Sequence, residues 1–594
     1  MASNEQREPS ATVKAAATAG VGNDPTRFDD VNNEETSASE GSTDAAMSAS
    51  EKTGSGKRST LQIAIIMMAL CMSVFLAALD LTIITTALPT ISEHFGSSAG
   101  YTWIGSSYLL ANAASTPVWG KLSDIWGRKP ALLIAAAVFF FGSALCGAAT
   151  SITMLIAGRA VQGLGGGGLI ILVNICISDL FSMRNRATYF GIIGMVWALA
   201  SAIGPIMGGI FTQEVSWRWC FYINLPCTGA VFLVLLFYLK LHTPKTPLVA
   251  GLKAIDWIGS FTIVGGTLMF LLGLEFGGVI FPWSSATVVC LIVFGLVTLT
   301  LFILNEWKLA TYPVMPLRLF AHRSNCAALL VCLSHGLVFI AGSYYLPLYF
   351  QAVLGASPLL SGVYLIPFAL TLSLGSAIVG IFIRKTGRYL EPIWTGMALM
   401  TLGFGLFIDL SPTSSWAKII LYQIVAGLGV GPNFQSPLIA LQSMIAPRDI
   451  ATATATFGFT RNLATAISVV IGGVVFQNGM QAQLPALRDA LGPDTAELLS
   501  GGSAGANVMI VAALPEAQRD LARQAFAEAL RKMWILFVAL GFAGMMASAG
   551  IGKQVLSKEH EETKTGLGGE EERRNVGKSE DGSGIRGRKE KEEV

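Results

Sequence analysis

Two charged residues interrupt long apolar stretches of the sequence, where a charge is energetically costly and usually has a function. Asp80 lies within the apolar segment 61–90, and Arg159 lies within the segment 153–179. Because a low-dielectric environment disfavours an ionised carboxyl, Asp80 could bind and release a proton, or it could pair with a cationic substrate. The alternatives are that Asp80 is locked to Arg159 or to a hydroxyl, and that Arg159 reaches out to the membrane surface. We expect both residues to be functional.

The composition requires that these residues sit in a membrane protein. Of 594 residues, 52% are hydrophobic and 13% are charged, whereas soluble proteins carry about 25% charged residues. Runs near the bilayer-spanning length of about 18 residues contain no Asp, Glu, Lys or Arg, for example 61–79 and 131–149. A large soluble domain is therefore excluded. The net charge of +2 gives no indication of a nucleic-acid partner.

The chain contains about fourteen apolar segments of helical length, between a polar segment at 1–58 and a charged segment at 553–594 that we predict to be disordered tails. The predicted spans are 61–90, 101–119, 131–150, 153–179, 188–211, 220–239, 257–278, 286–305, 325–350, 359–384, 393–410, 416–445, 454–477 and 533–552.

Lysine and arginine are concentrated in alternate loops, which places both termini in the cytoplasm. One loop on the opposite side is long, 478–532. Within it, Pro515 begins a segment with helical apolar spacing, and we predict an amphipathic helix lying on the outer surface before the last span.

The sequence also repeats itself weakly. The loop Gly120–Arg128 after the second span resembles Gly380–Arg388 after the tenth, and Gln162–Gly167 resembles Ala426–Gly431. We therefore predict an all-α fold of two six-helix bundles, at 59–240 and 324–552, with two inserted helices at 255–305. Such repeats surround the central cavity of alternating-access transporters.

The loop Gly120–Lys129 resembles the major facilitator motif G-x-L-x-D-x-x-G-R-K, and other segments are similar to the fungal fourteen-helix drug:proton antiporters of that superfamily. In this motif glycines such as Gly120 and Gly127 allow close helix packing, and Asp124 pairs with Arg128 as a conformational latch. A loop that is positively charged only to satisfy the positive-inside rule would not explain why Gly120, Asp124 and Gly127 stand at this fixed spacing. The second copy has Arg384 in the place of Asp124, so we expect a weaker latch there.

Further motifs assign roles by the same resemblance. Leu79–Pro89, with Asp80, resembles the first-helix motif of these antiporters, and Leu155–Gly168 resembles the fourth-helix motif, which gives Arg159 a part in proton transfer. In the fifth helix the antiporter motif G-P-x-x-G-G is matched by a set of four residues: Gly204, Pro205, Gly208 and Gly209. The alternative for this last set is a generic helix kink. The weaker candidates are Gln162, Gln423 and Arg461.

The resemblance implies a monomeric, plasma-membrane exporter of small organic molecules such as drugs, toxins or other secondary metabolites, with the proton gradient as energy source. A vacuolar or vesicle membrane is the alternative location. Alternatives in function are a siderophore–iron transporter, a vacuolar basic amino-acid transporter and a transporter-like receptor that binds without flux.

The sequence lacks the motifs of other classes of membrane protein, such as ATP-driven exporters and membrane enzymes. Gly54–Arg58 is an incomplete phosphate-binding loop, and the five histidines are scattered. The cysteines lie in or beside apolar runs. We therefore predict no enzyme, no metal site and no cofactor.

Overall fold

The computed structural model describes residues 59–95, 98–239, 241, 244, 246–278, 280–501, 504–505, 507–559 and 566. The predicted tail at 1–58 lies outside the described residues, as does most of the predicted tail at 553–594. Within the described part the chain is helical, and its β-structure is limited to an isolated bridge between Gly277 and Phe281.

Fourteen long helices follow one another in the part of the chain that the structure describes. They are α1 (Thr60–His94), α2 (Ser98–Trp126), α3 (Arg128–Gly147), α4 (Ile152–Leu180), α5 (Met183–Ile210), α6 (Trp219–Tyr238), α7 (Trp257–Phe276), α8 (Ala286–Lys308), α9 (Arg323–Ala352), α10 (Leu359–Thr386), α11 (Leu390–Phe407), α12 (Trp416–Ser443), α13 (Ile450–Leu491) and α14 (Glu516–Ser548).

Thirteen of these helices are long and apolar enough to cross a membrane. The remaining one, α2, has 29 residues but is less apolar, because it carries several Ser, Thr and Asn side chains together with Lys121 and Asp124. The predicted all-α polytopic fold is confirmed, and the predicted count of fourteen spans agrees with the structure apart from the lower hydropathy of α2.

The region 478–532 differs from the prediction. It was predicted as a loop with a separate helix on the outer surface, but α13 extends to Leu491 and α14 runs unbroken from Glu516 into the last span. The reason is that buried side chains follow one helical face through the join, namely Ala522, Phe526, Met533 and Phe537. With no glycine or proline from Glu516 to Leu540, nothing ends the helix.

The helices form two six-helix bundles, α1–α6 and α9–α14, that meet along two seams. One seam joins α2 to α13, and the other joins α5 to α10. The second helix of each copy thus packs against the fifth helix of the other copy, as a two-fold relation between copies requires. The inserted helices α7 and α8 pack on each other, with α7 against the α2–α13 seam.

Small residues bring the helices of the second seam close together. A Cβ atom on Gly380 would lie 2.6 Å from the carbonyl oxygen of Ala187, and one on Gly191 would lie 2.9 Å from that of Ser376. The two helices therefore touch through their backbones, which is the packing that small residues permit between membrane helices.

Residues 553–559, predicted as the start of a disordered tail, are mostly exposed but contact the helices through Leu556 and Ser557. Leu556 is buried, and its amide donates to the carbonyl of Gly387 at 3.4 Å. The amide of Arg184 donates to the carbonyl of Ser557 at 3.3 Å. This segment therefore contacts both bundles.

Candidate functional site

Asp80 lies at the centre of a buried polar network inside the first bundle. Its carboxylate forms an ion pair with Arg159 and accepts hydrogen bonds from Gln162 Nε2 at 2.7 Å and Asn224 Nδ2 at 3.0 Å. Gln162 also donates to Ser143 Oγ at 2.8 Å. All five side chains are buried, and those of Asp80 and Arg159 are 0% exposed. The two charges therefore neutralise each other in a region closed to solvent.

Arg159 points into the bundle rather than toward a membrane surface. Its Nε donates to the carbonyl of Ile104 at 2.9 Å, and the guanidinium lies 4.5 Å from the ring centre of Tyr108. The Tyr108 hydroxyl in turn donates to the carbonyl of Ala77 at 3.2 Å. Helices α1, α2 and α4 are thus connected through the arginine. The contact matches the alternative stated from the sequence, that Asp80 is locked to Arg159, and a transport role for the two residues stays a prediction.

Asn224 is a partner of Asp80 that sequence reasoning missed. The surrounding segment 217–226 is rich in aromatic residues, which are typical of a membrane interface. Arg218 does hold a turn, because its Nη1 donates to the carbonyls of Gly147 and Ala149 at 2.9 and 2.7 Å. The available signal was an amide side chain at the beginning of the apolar helix α6, a position that faces the interior of the bundle.

Three of the four residues of the α5 motif, Gly204, Pro205 and Gly208, contact α1 just beyond Asp80. A Cβ atom on Gly204 would overlap the side chain of Thr82, and one on Gly208 would overlap the carbonyl oxygen of Ile83. Thr86 Oγ1 donates to the carbonyl of Pro205 at 3.3 Å. Close packing thus joins α5 to the part of α1 just beyond Asp80.

Gly209 has a different environment from the other two glycines of that motif. A Cβ atom at Gly209 would meet nothing within 4 Å. Close packing against α1 therefore explains why glycine is needed at positions 204 and 208. Nothing in the structure explains why Gly209 is a glycine.

At the loop end of the first bundle, Arg128 holds two buried carboxylates. Its Nη1 contacts Asp124 Oδ1 at 2.6 Å, and its Nε contacts Asp179 Oδ2 at 2.6 Å. Thr452 of the second bundle donates to Asp124 Oδ2 at 3.4 Å. Gly127 adopts φ = 92° where α2 turns into α3, a conformation that favours glycine. The predicted Asp124–Arg128 contact therefore lies at the seam between the bundles, and Asp179 is an addition from α4.

Gly120 lies where α2 packs closely on α13 of the second bundle. A Cβ atom there would lie 2.6 Å from the Cβ of Ala455 on α13. We expect Gly120→Val to separate the two helices and to lower the stability by about 1–3 kcal/mol, the usual cost of overpacking. A lower melting temperature of the purified protein in detergent would show this.

The same helix offers a matched control for that measurement. Gly105 has nothing within 4 Å of its Cβ position, so Gly105→Ala should not lower the melting temperature. The melting temperature of Gly120→Ala should partly recover when Ala455→Gly is added, because the second change removes the Cβ atom of residue 455 that the new methyl group would overlap. An unaltered melting temperature for Gly120→Val would contradict the packing argument.

The second bundle has no equivalent of the Asp80 network among its described residues. Gln423, which occupies the position of Arg159 in the repeat, is buried and donates only to the carbonyl of Ile419 at 3.3 Å. Arg388, the counterpart of Arg128, is 62% exposed and lies 3.7 Å from Glu391. The two copies therefore share a fold but differ in their buried charges.

Arg461 lies on α13 among aromatic rings. Its guanidinium carbon is 4.6 Å from the ring centre of Phe434 and 5.0 Å from that of Phe457, and it donates to the carbonyl of Phe434. Trp197 of the first bundle lies 6.1 Å from Phe434, centre to centre. This cation is thus placed near the junction of the two bundles, apart from the Asp80 network.

Comparison with known proteins gives a consistent result. The sequence profile described as Major Facilitator Superfamily matches residues 70–469. The chain is 57% identical to the efflux pump dotC of Dothistroma septosporum (strain NZE10), over 86% of this chain and 88% of that protein. It is 52% identical to the MFS-type transporter ppz2 of Metarhizium majus, over 87% and 89% of the two chains.

Solved structures with 14–15% sequence identity share the fold. The human organic anion transporter MFSD10 aligns with a TM-score of 0.53 over 82% of this chain and 99% of that one. The proton:xylose symporter XylE aligns with a TM-score of 0.50 over 81% of this chain and 100% of that one.

Proposed function

Because the chain belongs to the major facilitator superfamily, we propose that it is a proton-coupled antiporter that exports small organic molecules by alternating access. It is a multi-pass membrane transporter, and the fungal relatives that match most of its length include proteins named efflux pumps. The proposal has three finer elements. The cargo is exchanged for protons, the cargo consists of drugs, toxins or other secondary metabolites, and the protein is a monomer in the plasma membrane.

The observation that carries the proposal is the buried Asp80–Arg159 pair. An aspartate can change charge by taking up a proton, whereas an arginine stays positive in proteins. Proton uptake by Asp80 would leave Arg159 without its counter-ion in a region closed to water, which is unfavourable. The helices that hold these side chains would then have a reason to move.

The helix contacts indicate which parts would move. Asp80 lies on α1, and α1 packs through Gly204 and Gly208 against α5, the helix that forms the α10 seam. A shift of α1 is therefore passed to a seam between the bundles. At the loop end, Arg128 holds Asp124 and Asp179 in place within the first bundle, and Asp124 accepts a hydrogen bond from Thr452 of the second bundle. This arrangement would favour the closed state of a two-state transporter.

The orientation that we propose follows from the loop charges. With the Gly120–Arg128 loop and both termini in the cytoplasm, the positively charged loops satisfy the positive-inside rule. The latch would then close the cytoplasmic side. A vacuolar or vesicle membrane would keep this topology, and localisation of a fluorescent fusion protein separates these possibilities.

Purified protein in liposomes should move cargo faster when a proton gradient is imposed in the direction opposite to cargo movement. The reason is that each conformational cycle returns a proton. The measurement is the initial rate of dye or metabolite flux with and without a pH gradient, and with an uncoupler that removes it.

The same assay includes controls that test the alternative functions. Protein-free liposomes give the passive leak, and labelled ferric siderophore or lysine as cargo tests the two transport alternatives. Cargo flux that is indifferent to the gradient would refute proton coupling, and binding without flux would indicate a receptor.

A further inference from the structure

We propose that Arg461 binds an acidic group of the cargo, and that the cargo class is planar aromatic molecules carrying a carboxylate or an ionised phenol. This inference rests on the proposed function, because it names the substrate class of the exporter. The site consists of Arg461 and four surrounding rings, which we call the arginine–aromatic cluster: Phe434, Phe457, Phe339 and His335.

The first argument is the charge of Arg461. Its contacts include a backbone carbonyl, the thiol of Cys332 and aromatic faces, and none of the described carboxylates forms an ion pair with it. Its Nε is buried without a hydrogen-bond partner among the described residues. Because the guanidinium cannot lose its proton, a bound anion would neutralise a buried positive charge that has no counter-ion among the described residues.

The second argument is the shape of the surroundings. The ring of Phe339 is nearly parallel to His335 at 6.1 Å and nearly perpendicular to Phe434 at 5.7 Å. His335 Nε2 contacts the carbonyl of Val430 at 3.0 Å, while its Nδ1 is buried without a partner in the described part of the chain. Aromatic rings beside two polar atoms without partners in the described part of the chain are groups that suit contact with a planar molecule carrying polar substituents.

The third argument is the position between the bundles. Trp197 extends the cluster into the first bundle through its contact with Phe434. The neighbouring Asn462 donates to Asn112 Oδ1 at 3.0 Å and to Thr116 Oγ1 at 3.1 Å, both on α2. A molecule bound here would touch elements of both bundles, so its binding would differ between their two arrangements.

The Asp80 network does not offer an equivalent site for a cation. The Asp80 carboxylate is fully buried and already neutralised by Arg159, with two amides on its oxygens. The sequence-based suggestion of a cationic cargo paired to Asp80 therefore has less support than an anionic cargo at Arg461. The first bundle would carry the proton, and the junction would carry the charge of the cargo.

The test uses the full-length protein in liposomes with three fluorescent probes that share one ring system: 1-pyrenebutyrate, neutral 1-pyrenebutanol and cationic 1-pyrenebutylamine. Binding is followed by protein tryptophan quenching, and flux is measured above the leak of protein-free liposomes. We expect the anionic probe to bind about tenfold or more tightly than the other two, as a charge-assisted hydrogen bond provides.

Arg461→Gln should remove this preference while binding of the neutral probe stays within about twofold. Arg461→Lys should keep part of it, because lysine retains the charge but not the planar fork. Arg388→Gln, at an exposed arginine of the same bundle, is the matched control and should keep the full preference.

Two results would overturn the inference. One is failure of the anionic probe to bind, whatever the other two probes do. The other is an equal effect of Arg461→Gln on the anionic and neutral probes in protein with an unchanged melting temperature. A preference for the anion with flux indifferent to pH would instead refute only the proton coupling, so the two proposals fail separately.

Discussion

Asp80→Asn is expected to reduce proton-driven efflux to the level of protein-free liposomes and to destabilise the protein. Asparagine keeps the size of the side chain but cannot bind or release a proton. It also leaves the buried, permanently charged Arg159 without a counter-ion. Breaking a buried ion pair from one side costs about 3–5 kcal/mol. Flux under an imposed pH gradient and the melting temperature in detergent measure the two effects.

Separating these two effects requires a second variant. Asp80→Asn combined with Arg159→Gln removes both charges, so stability should recover while proton-driven efflux stays absent. Asp409→Asn is the matched control, because Asp409 is an exposed carboxylate that contacts Lys418 at 2.6 Å. Proton-driven efflux by the single Asp80→Asn variant would refute the role of Asp80.

The ion pair should also respond unequally to loss of its two members. In Arg159→Ala, the remaining Asp80 can become neutral by taking up a proton, whereas in Asp80→Asn the remaining guanidinium cannot. Asp80→Asn should therefore show the larger loss of stability, and Arg159→Ala the smaller one.

The sequence was sufficient for the fold class and for singling out the first residues of the candidate site. Helical runs of apolar residues are local, so the spans could be read one at a time, and a charge such as Asp80 or Arg159 stands out within them. The polar beginning of α14 misled the prediction. Its composition resembles a surface helix, whereas its buried face is set by contacts with other helices.

The partners of those site residues could not be predicted in the same way. Asn224 reaches Asp80 across 144 positions of sequence, and Thr452 reaches Asp124 across 328. Such contacts depend on how helices are arranged in three dimensions, which one sequence does not specify. Arg461 was a weak candidate for the same reason, since a missing counter-ion is visible only once its neighbours are known.

Arg128→Ala is expected to open the closed seam at the loop end and to lower transport by at least about tenfold. The side chain is 1% exposed and joins Asp124, on α2, to Asp179, on α4. Its removal leaves two buried carboxylates without their counter-ion, which costs about 3–5 kcal/mol. Because 1.4 kcal/mol already changes an equilibrium constant tenfold, this cost is enough to shift the conformational equilibrium. Arg128→Lys should be intermediate, because one ammonium cannot reproduce two separate fork contacts.

The internal repeat provides the control for this prediction. Arg388 occupies the equivalent place in the second copy but is 62% exposed and contacts Glu391 at 3.7 Å, a surface pair of little energetic weight. Spin labels at the exposed positions Tyr238 and Lys385, one in each bundle, would measure the separation at this end. We expect Arg128→Ala to shift that distance distribution to longer values and Arg388→Ala to leave it unchanged. Equal shifts in both variants would mean that loop charge holds the bundles together, rather than the buried three-residue contact that positions Asp124 against Thr452 of the second bundle.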